Sequence, residues 1–568
     1  MSHKRILKQP EWEAVKRLEE REGKEFTRFY TLLKGFLLRI DHASSSKHGA
    51  SVEIKRLRDS EERVKNYLLA KKNSELNDLQ KFVLENREDN LLVVASTGYG
   101  KTEAGFIFLK DKGFFTIPIR TSANAIFGRA REVFSEEEVG LLHSTAPLFL
   151  LENSEDRRNF DKSTIVSDIF LTKNFAKPLI VSTPDQLFPF VFRPKGFEKF
   201  LSLFSYSRVV IDEVQLFEPQ TLGFLVKAIE KAHQFGGKVM VMTATLPSYV
   251  RRDLQGIDLK EGRFITDTVR HNVKLIPMSI TSGEGLKLIK SLSERGKALV
   301  ITNTRTKALE LKEALGVGEV LHSWFIQKDR KKKEEEIKDF FDSEEKGLWI
   351  TTQIAEVSLD LDADFLITEL STADSLLQRM GRENRKGVKP VDEPNVFVFT
   401  EECSGIGNVY RKSIHEITKE KLKEGLIDEE WKLGFVEEVY SALEERDREY
   451  ISKYEEAKRY IDDLWVLREK FFNKREAQEM FRDVLSEVVI PEVFRGEVEP
   501  LVEEYLQERD TIRKLELFSE VLGYTFSLPY YREVRLQPVR GLKGIFWASG
   551  NYSSETGFVE GEGGGNIL

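Results

Sequence analysis

The chain has 568 residues, with 87 Lys and Arg against 95 Asp and Glu, 40% hydrophobic residues and a single cysteine, Cys403. The net charge of −8 excludes a globally basic body, so nucleic acid would have to be held in local grooves. One cysteine excludes an internal disulfide and a cysteine-rich zinc site and fits a reducing cytoplasm. There is no run of about 18 apolar residues and no apolar signal core in MSHKRILKQP. The expectation is a cytoplasmic protein with no membrane contact.

Residues 1–75 read as a short helical segment. Thr27–Ile40 has apolar residues at helical spacing and ends in a turn-rich stretch from Asp41, and a charged helix is predicted over Ser51–Lys72. Residues 76–277 alternate strand-sized apolar runs (Leu91–Ala95, Phe114–Pro118, Leu179–Ser182, Arg208–Asp212, Lys238–Met242) with helical patterns. Residues 278–402 repeat that texture, with Ala298–Ile301, Leu348–Thr352, Asp364–Thr368 and Asn395–Thr400 as strands. Such alternation indicates parallel βαβ units, hence two α/β domains in tandem. Residues 403–568 read as a mostly helical accessory domain anchored by Trp431, Trp465, Phe471 and Phe472, with short strands from about residue 515.

Ala95-Ser96-Thr97-Gly98-Tyr99-Gly100-Lys101-Thr102, followed by Glu103, matches a P-loop with alanine in its first glycine position, and it stands between a strand and a helix, as that motif requires. Gly98 and Gly100 let backbone N–H groups converge on phosphate, and the helix N-terminus adds positive potential. Lys101 is expected to neutralise the β- and γ-phosphates of ATP, and the Thr102 hydroxyl to ligate Mg²⁺. Asp212 and Glu213 end an apolar strand. Behind a P-loop, Asp212 can reach Mg²⁺ and Glu213 can polarise the attacking water. Thr243-Ala244-Thr245 closes the next strand, where small hydroxyls can bond those carboxylates or merely form a turn. Gln378-Arg379-Met380-Gly381-Arg382-Glu383-Asn384-Arg385 places Arg382 and Arg385 one helical turn apart, so they could reach across a cleft to the γ-phosphate; a solvated basic helix start looks the same.

The ordered set STGYGKTE, IDEVQ, MTATLP, ITNTR, TTQIAEVSLDLD and QRMGRENR resembles the motif series of a superfamily 2 helicase. More narrowly, EVSLDLDADFLITELSTADSLLQRMGRENR resembles the CRISPR-associated DEAD/DEAH-like helicase of type I interference, which is usually coupled to an HD nuclease. The resemblance implies two RecA-like domains and an ATP-driven, 3′-to-5′ motor on single-stranded DNA. It implies that Lys101, Asp212, Glu213, Gln378, Arg382 and Arg385 serve catalysis, that Gln80 reads adenine and that Asp360 meets the ribose or the domain interface. It also implies that Pro118, Arg120, Thr121, Thr183 and Asp185 grip the strand from the first domain, and Asn303, Thr304, Ser323, Thr352 and Gln353 from the second. The family carries Asp-Glu-Val-His where this chain has Gln215, and often Arg where this chain has Trp324, so stacking could replace a phosphate contact there.

Only about 75 residues precede the motor, and there is no His-Asp dipeptide, so a complete HD nuclease is not expected in this chain. Leu37–His42 nonetheless looks like the last helix of such a domain, with Asp41 in the place of a metal ligand or simply ending a helix. The expected partners are a separately encoded HD nuclease and a crRNA-guided surveillance complex. An ATP-switched structural subunit of that complex and an RNA helicase are the alternative readings.

Overall fold

The computed structural model describes residues 23–45, 51–96, 98–155, 162–357, 359–467, 472–482, 486–529, 532 and 534–560. Seven strands form the first sheet: β1 (Asn90–Ala95), β2 (Gly113–Thr116), β3 (Val139–Leu142), β4 (Leu179–Ser182), β5 (Arg208–Asp212), β6 (Lys238–Thr243) and β7 (Leu259–Phe264). They run parallel in the order β3-β4-β2-β5-β6-β1-β7. β1 and β5 are buried along their whole lengths. Helices cover both faces of the sheet, so these strands read as unbroken apolar runs instead of alternating. Val94 pairs with Thr243, and Asp212 with Met242, so β1, β5 and β6 end side by side. This brings the P-loop, the two carboxylates and the Thr243–Thr245 turn to one sheet edge.

The second sheet contains β8 (His271–Ile276), β9 (Lys297–Ile301), β10 (Glu319–Leu321), β11 (Gly347–Thr351), β12 (Phe365–Glu369), β13 (Val396–Phe399) and β14 (Gly425–Ile427), in the order β10-β11-β9-β12-β13-β8-β14. All pair parallel except β14, which runs antiparallel to β8. The chain crosses between sheets after Phe264 and before His271, ahead of the boundary expected at 277/278. HNVKLI alternates in burial and does not stand out as an apolar run. β14 adds a strand from beyond residue 402 to the second sheet.

The region after residue 402 is not separate from the two sheet domains. The helices Lys412–Lys421, Glu429–Arg446 and Arg448–Leu467 share one apolar core with both sheets. The helix Arg448–Leu467 lies along Pro219–Gln234 so closely that a Cβ on Gly223 would stand 2.6 Å from the Tyr454 carbonyl. Trp465 is half-buried and donates to the Val191 carbonyl at 2.8 Å, and half-buried Trp431 stacks on Phe435 at 4.7 Å. Phe472 packs partly buried against the core, whereas Phe471 lies outside the described residues. The strands expected from about 515 begin earlier, at Ser486. β15 (Ser486–Pro491), β16 (Phe526–Pro529), β17 (Leu536–Pro538) and β18 (Ile545–Ala548) form a small sheet, followed by the hairpin β19 (Gly550–Ser553) and β20 (Gly557–Glu560).

The N-terminal helix runs from Lys24 to Ser44, longer than the predicted span. It packs on Glu198–Phe204 through Gly35, where a Cβ would meet the Glu198 carbonyl at 2.2 Å. The second helix is shorter than predicted, Ser60–Lys72, because Leu57 pairs with Asp111 in a β-bridge just before it. Among the described residues no helix is long and apolar enough to cross a membrane.

Gly223→Val should force the Pro219–Gln234 and Arg448–Leu467 helices apart. A loss of about 1–3 kcal/mol is expected, visible as a lowered melting temperature in calorimetry.

Candidate active site

The loop after β1 is fixed at its base. Ser96 donates its N–H to the Phe264 carbonyl at 3.0 Å, and its hydroxyl accepts from Thr266 N at 3.3 Å. Gly98 (φ 84°) and Gly100 (φ 88°) adopt left-handed backbone that favours glycine. A Cβ on Gly98 would meet nothing within 4 Å, which leaves the loop's inner surface open to a ligand. Tyr99 leans on Phe264, with ring centroids 6.0 Å apart. The helix Lys101–Phe108 begins at once, with Thr102 half-buried in its first turn. Thr97 lies outside the described residues.

Two residues expected at the nucleotide are engaged elsewhere. Glu103 is 1% exposed, and its carboxylate faces Lys72 at 2.8 Å and Arg129 at 3.7 Å, which holds the helix to its neighbours. Gln80 forms a capping box with Asn77: its carbonyl accepts from Asn77 N at 3.1 Å, and its backbone N–H donates to Asn77 Oδ1 at 3.0 Å. Its amide nitrogen lies 3.4 Å from the Gly100 carbonyl, and Asn77 Nδ2 donates to the Tyr99 carbonyl at 2.7 Å. Gln80 therefore braces the P-loop from below.

Lys101 Nζ reaches Glu213 Oε1 at 3.2 Å. Burial works against the charge of Lys101, but Glu213 and Asp212 outweigh it and raise its pKa. Burial and the charge of Glu213 push Asp212 up to about 7, against the pull of Lys101. Burial also opposes ionisation of Glu213, yet Lys101, the Gln215 amide and Arg382 hold its pKa below the usual value. Glu213 sits at φ 57°, a left-handed conformation uncommon for a residue with a side chain. Gln215 donates to Glu213 Oε2 and accepts from the Thr243 hydroxyl at 2.5 Å, and Thr243 Oγ1 in turn accepts from Thr245 N at 3.0 Å. The amide of Gln215 thus ties the Thr243–Thr245 turn to the carboxylate.

The second domain faces this edge across a cavity of about 610 Å³ lined by Gly98, Thr266, Arg270, Asp360 and Arg385. Arg385 Nε pairs with Asp360 Oδ1 at 3.0 Å, and its Nη1 is buried without a hydrogen-bond partner. Asp360 therefore stands at the cavity rim, paired to an arginine. Arg382 is buried, and its guanidinium donates to the Glu356 carbonyl, with Nε at 3.1 Å. Burial and Arg385 lower its pKa to about 10, opposed by Asp360 and Glu213. Gln378 lines a smaller space shared with Ser96 and Thr245, where the two domains meet. The structure therefore sets Lys101 against Glu213 beside Asp212, brings the charge of Arg382 to bear on Glu213, and places Arg385 and Gln378 in two neighbouring spaces between the domains.

A second cavity, about 420 Å³, opens between the domains beside Gln215. Asn303, Thr304, Ser323, Thr352 and Gln353 line it. Thr304 caps the helix Arg305–Leu315 through a bond from Lys307 N at 3.2 Å, and Ser323 is exposed. Asn303 is fully buried. Its amide donates to the Leu370 carbonyl at 2.8 Å, and Gln353 donates to its main-chain carbonyl at 2.7 Å, so the pair builds the cavity wall. Pro118, Arg120, Thr121, Thr183 and Asp185 are not in this lining. They follow β2 and β4, where Thr183 is buried as a helix cap and the charges of Arg120 and Asp185 act on His143. Trp324 also borders this cavity, but it is 4% exposed beneath Phe526 and Phe558, with Arg305 at 4.2 Å over its ring, so it chiefly anchors the C-terminal sheet.

Sequence reasoning missed the hub beneath the arginines. Glu356 Oε1 accepts from Arg379 Nε at 2.9 Å and Ser375 Oγ at 2.7 Å, and Arg379, fully buried, also donates to Thr368, the Glu369 carbonyl and Tyr410. Both residues stand inside quoted motifs, but no spacing rule marks them. Arg270, Glu429 and Lys432, from outside every motif, also reach the cleft.

A family model described as DEAD/DEAH box helicase matches residues 77–253, and one described as the C-terminal part of the CRISPR-associated nuclease/helicase Cas3 matches residues 294–388. The chain is 30% identical over 519 residues to a CRISPR-associated nuclease/helicase Cas3 of Methanothermobacter thermautotrophicus, covering 82% of this chain and 60% of that relative's length. It is 25% identical over 422 residues to a CRISPR-associated helicase Cas3 of Thermoproteus tenax, covering 67% of this chain and 69% of the relative. A crystal structure of T. fusca Cas3 with ATP superposes with a TM-score of 0.66 at 18% identity, covering 86% of this chain and 68% of that one, which speaks to fold.

Gly100→Ala would place a Cβ 2.7 Å from Gln80 Nε2. A loss of triphosphate affinity of at least about tenfold is expected, measured by titration with a fluorescent nucleotide. Gln80→Ala in the same chain should recover part of it by removing the clash.

Proposed function

Because this chain belongs to the Cas3-like helicases of superfamily 2, we propose that it hydrolyses ATP in the interdomain cleft to move along single-stranded DNA, 3′ to 5′. The observation that carries this reading is the Lys101–Glu213 contact at 3.2 Å, with Asp212 beside it and Arg382 and Arg385 on the facing domain. Among the alternatives, a nucleotide-switched structural subunit would not need a carboxylate held ionised at the phosphate edge.

In this reading Lys101 leaves Glu213 for the β- and γ-phosphates. Glu213, freed and still anchored by Gln215, orients water for attack. Arg382 exchanges the Glu356 carbonyl for the developing phosphate charge, and Arg385, with an unpartnered Nη1, joins it. Thr102 and Asp212 would hold Mg²⁺, which when bound neutralises phosphate charge. Asp212, pushed up to about 7 by its surroundings, suits a cation that restores its ionised form. Closure brings Gln215 and the walls built by Asn303, Thr304, Ser323, Thr352 and Gln353 onto the strand, while Pro118, Arg120, Thr121, Thr183 and Asp185 extend the path over the first domain.

The proposed setting is cytoplasmic, with a crRNA-guided surveillance complex delivering DNA and a separately encoded HD nuclease cutting it. The N-terminal helix supplies the docking face. Phe29, Leu33, Leu37 and Ile40 form one stripe, each about half exposed or more, on the side away from Glu198–Phe204, and Asp41 is exposed at its end. The chain alone is expected not to degrade DNA.

Lys101→Ala should abolish hydrolysis, and Glu213→Gln should bind ATP but turn over at least about 100-fold more slowly. Steady-state hydrolysis with saturating single-stranded DNA, and with RNA in parallel, checks both. Stimulation by RNA alone would move the assignment to an RNA helicase.

Leu33→Glu with Leu37→Glu leaves the packed face of the helix intact and should abolish co-purification of the HD chain without altering ATP turnover. Unchanged co-purification would refute this docking face.

A further inference from the structure

The first turn of the helix Glu429–Arg446 reaches the back of the nucleotide cleft. Asp428 caps this helix, accepting from Trp431 N at 2.7 Å, and so fixes Glu429 and Lys432 on the same inward face. Glu429 Oε1 accepts from Arg270 Nη2 at 2.6 Å and from Lys432 Nζ. Arg270 directly precedes β8 and is 6% exposed. Its Nη1 donates to the main-chain carbonyl of Arg385 at 3.2 Å, and its Nε is buried without a partner. Lys432 Nζ donates to His271 Nδ1 at 2.8 Å, so the neutral imidazole donates through Nε2 to the Met380 carbonyl, also at 2.8 Å. The accessory helix therefore holds the main chain at Met380 and at Arg385, the two ends of the segment that bears Arg382 and Arg385.

The same helix touches the first domain further along. Ser248 donates to Glu444, and Arg251 pairs with Glu437 at 3.3 Å. Ser248 opens the helix that follows the Thr243–Thr245 turn, and that turn is bonded through Gln215 to Glu213. One rigid rod of 18 residues thus spans from the turn side of the first domain to the arginine segment of the second.

We propose that Glu429 is a positioning residue for Arg385 and Arg382, and that the helix it begins is a strut that couples the approach of the two domains to ATP hydrolysis. This rests on the reading that hydrolysis occurs in this cleft. Without its carboxylate, Arg270 and Lys432 face each other as unpaired buried cations. Arg270 then withdraws from the Arg385 carbonyl, and the arginines lose their register on the phosphate.

The test compares ATP turnover, ATP KM and melting temperature of the full chain with single-stranded DNA, for wild type, Glu429→Gln, Arg385→Ala and the double variant. Glu429→Gln should lower kcat roughly tenfold, with KM changed less than about twofold. In the Arg385→Ala background it should add little, while its effect on melting temperature is the same in both backgrounds. An unchanged kcat in folded Glu429→Gln, or a full additional loss in the double variant, would overturn the proposal. If Glu429→Gln does not fold, Arg270→Lys carries the same expectation, because it keeps a cation for Glu429 and loses the fork to Arg385. Lys101→Ala in the same assay separates the two levels. Wild-type turnover there would remove hydrolysis from this cleft, and this proposal with it, whereas loss of turnover there with additive Glu429 and Arg385 effects would refute only the strut.

Discussion

The rest of the site depends on three ionisable groups held together at the edge of one parallel sheet, buried Asp212 and half-buried Lys101 and Glu213. Two carboxylates there share one ammonium. The crowding appears as an Asp212 carboxyl pushed up to about 7 by burial and by the charge of Glu213. Such an arrangement is poised to accept further cations. The facing arginines provide them, yet in this structure they are held back on Asp360 and on the Glu356 carbonyl. Binding of a triphosphate would exchange these protein partners for phosphate oxygens, and the two domains must approach for the exchange to be complete.

Much of this was legible in the sequence because parallel sheets turn order in the chain into proximity in space. Apolar runs followed by STGYGKTE, IDEVQ and MTATLP had to end at one edge once β1, β5 and β6 became neighbours. The same holds for the motifs of the second domain around the 420 Å³ cavity. Position at a strand end pointed to Lys101, Asp212 and Glu213, whereas Gln378, Arg382 and Arg385, in and after the helix Ala373–Met380, were singled out by their motif.

What was not legible depends on side chains whose partners come from distant segments. Glu103 follows the P-loop directly, but Lys72 and Arg129 claim it from two other helices. Gln80 is committed to a helix cap, a local geometry that a motif comparison does not test. Trp324 is covered by a sheet formed some 200 residues later, so its burial could not be read locally. Arg270, Glu429 and Lys432 lie outside every motif and meet only because β14 brings the accessory helix back to β8.

In the proposed cycle one phosphate-bearing ligand replaces the resting partners of Lys101 and Arg382 together. A crystal structure with a non-hydrolysable ATP analogue and a short single strand tests it most directly. Lys101 is expected on the phosphates and no longer on Glu213, with Arg382 released from the Glu356 carbonyl and turned toward the same phosphates. A bound triphosphate with the Lys101–Glu213 pair intact and Arg382 still on Glu356 would contradict it.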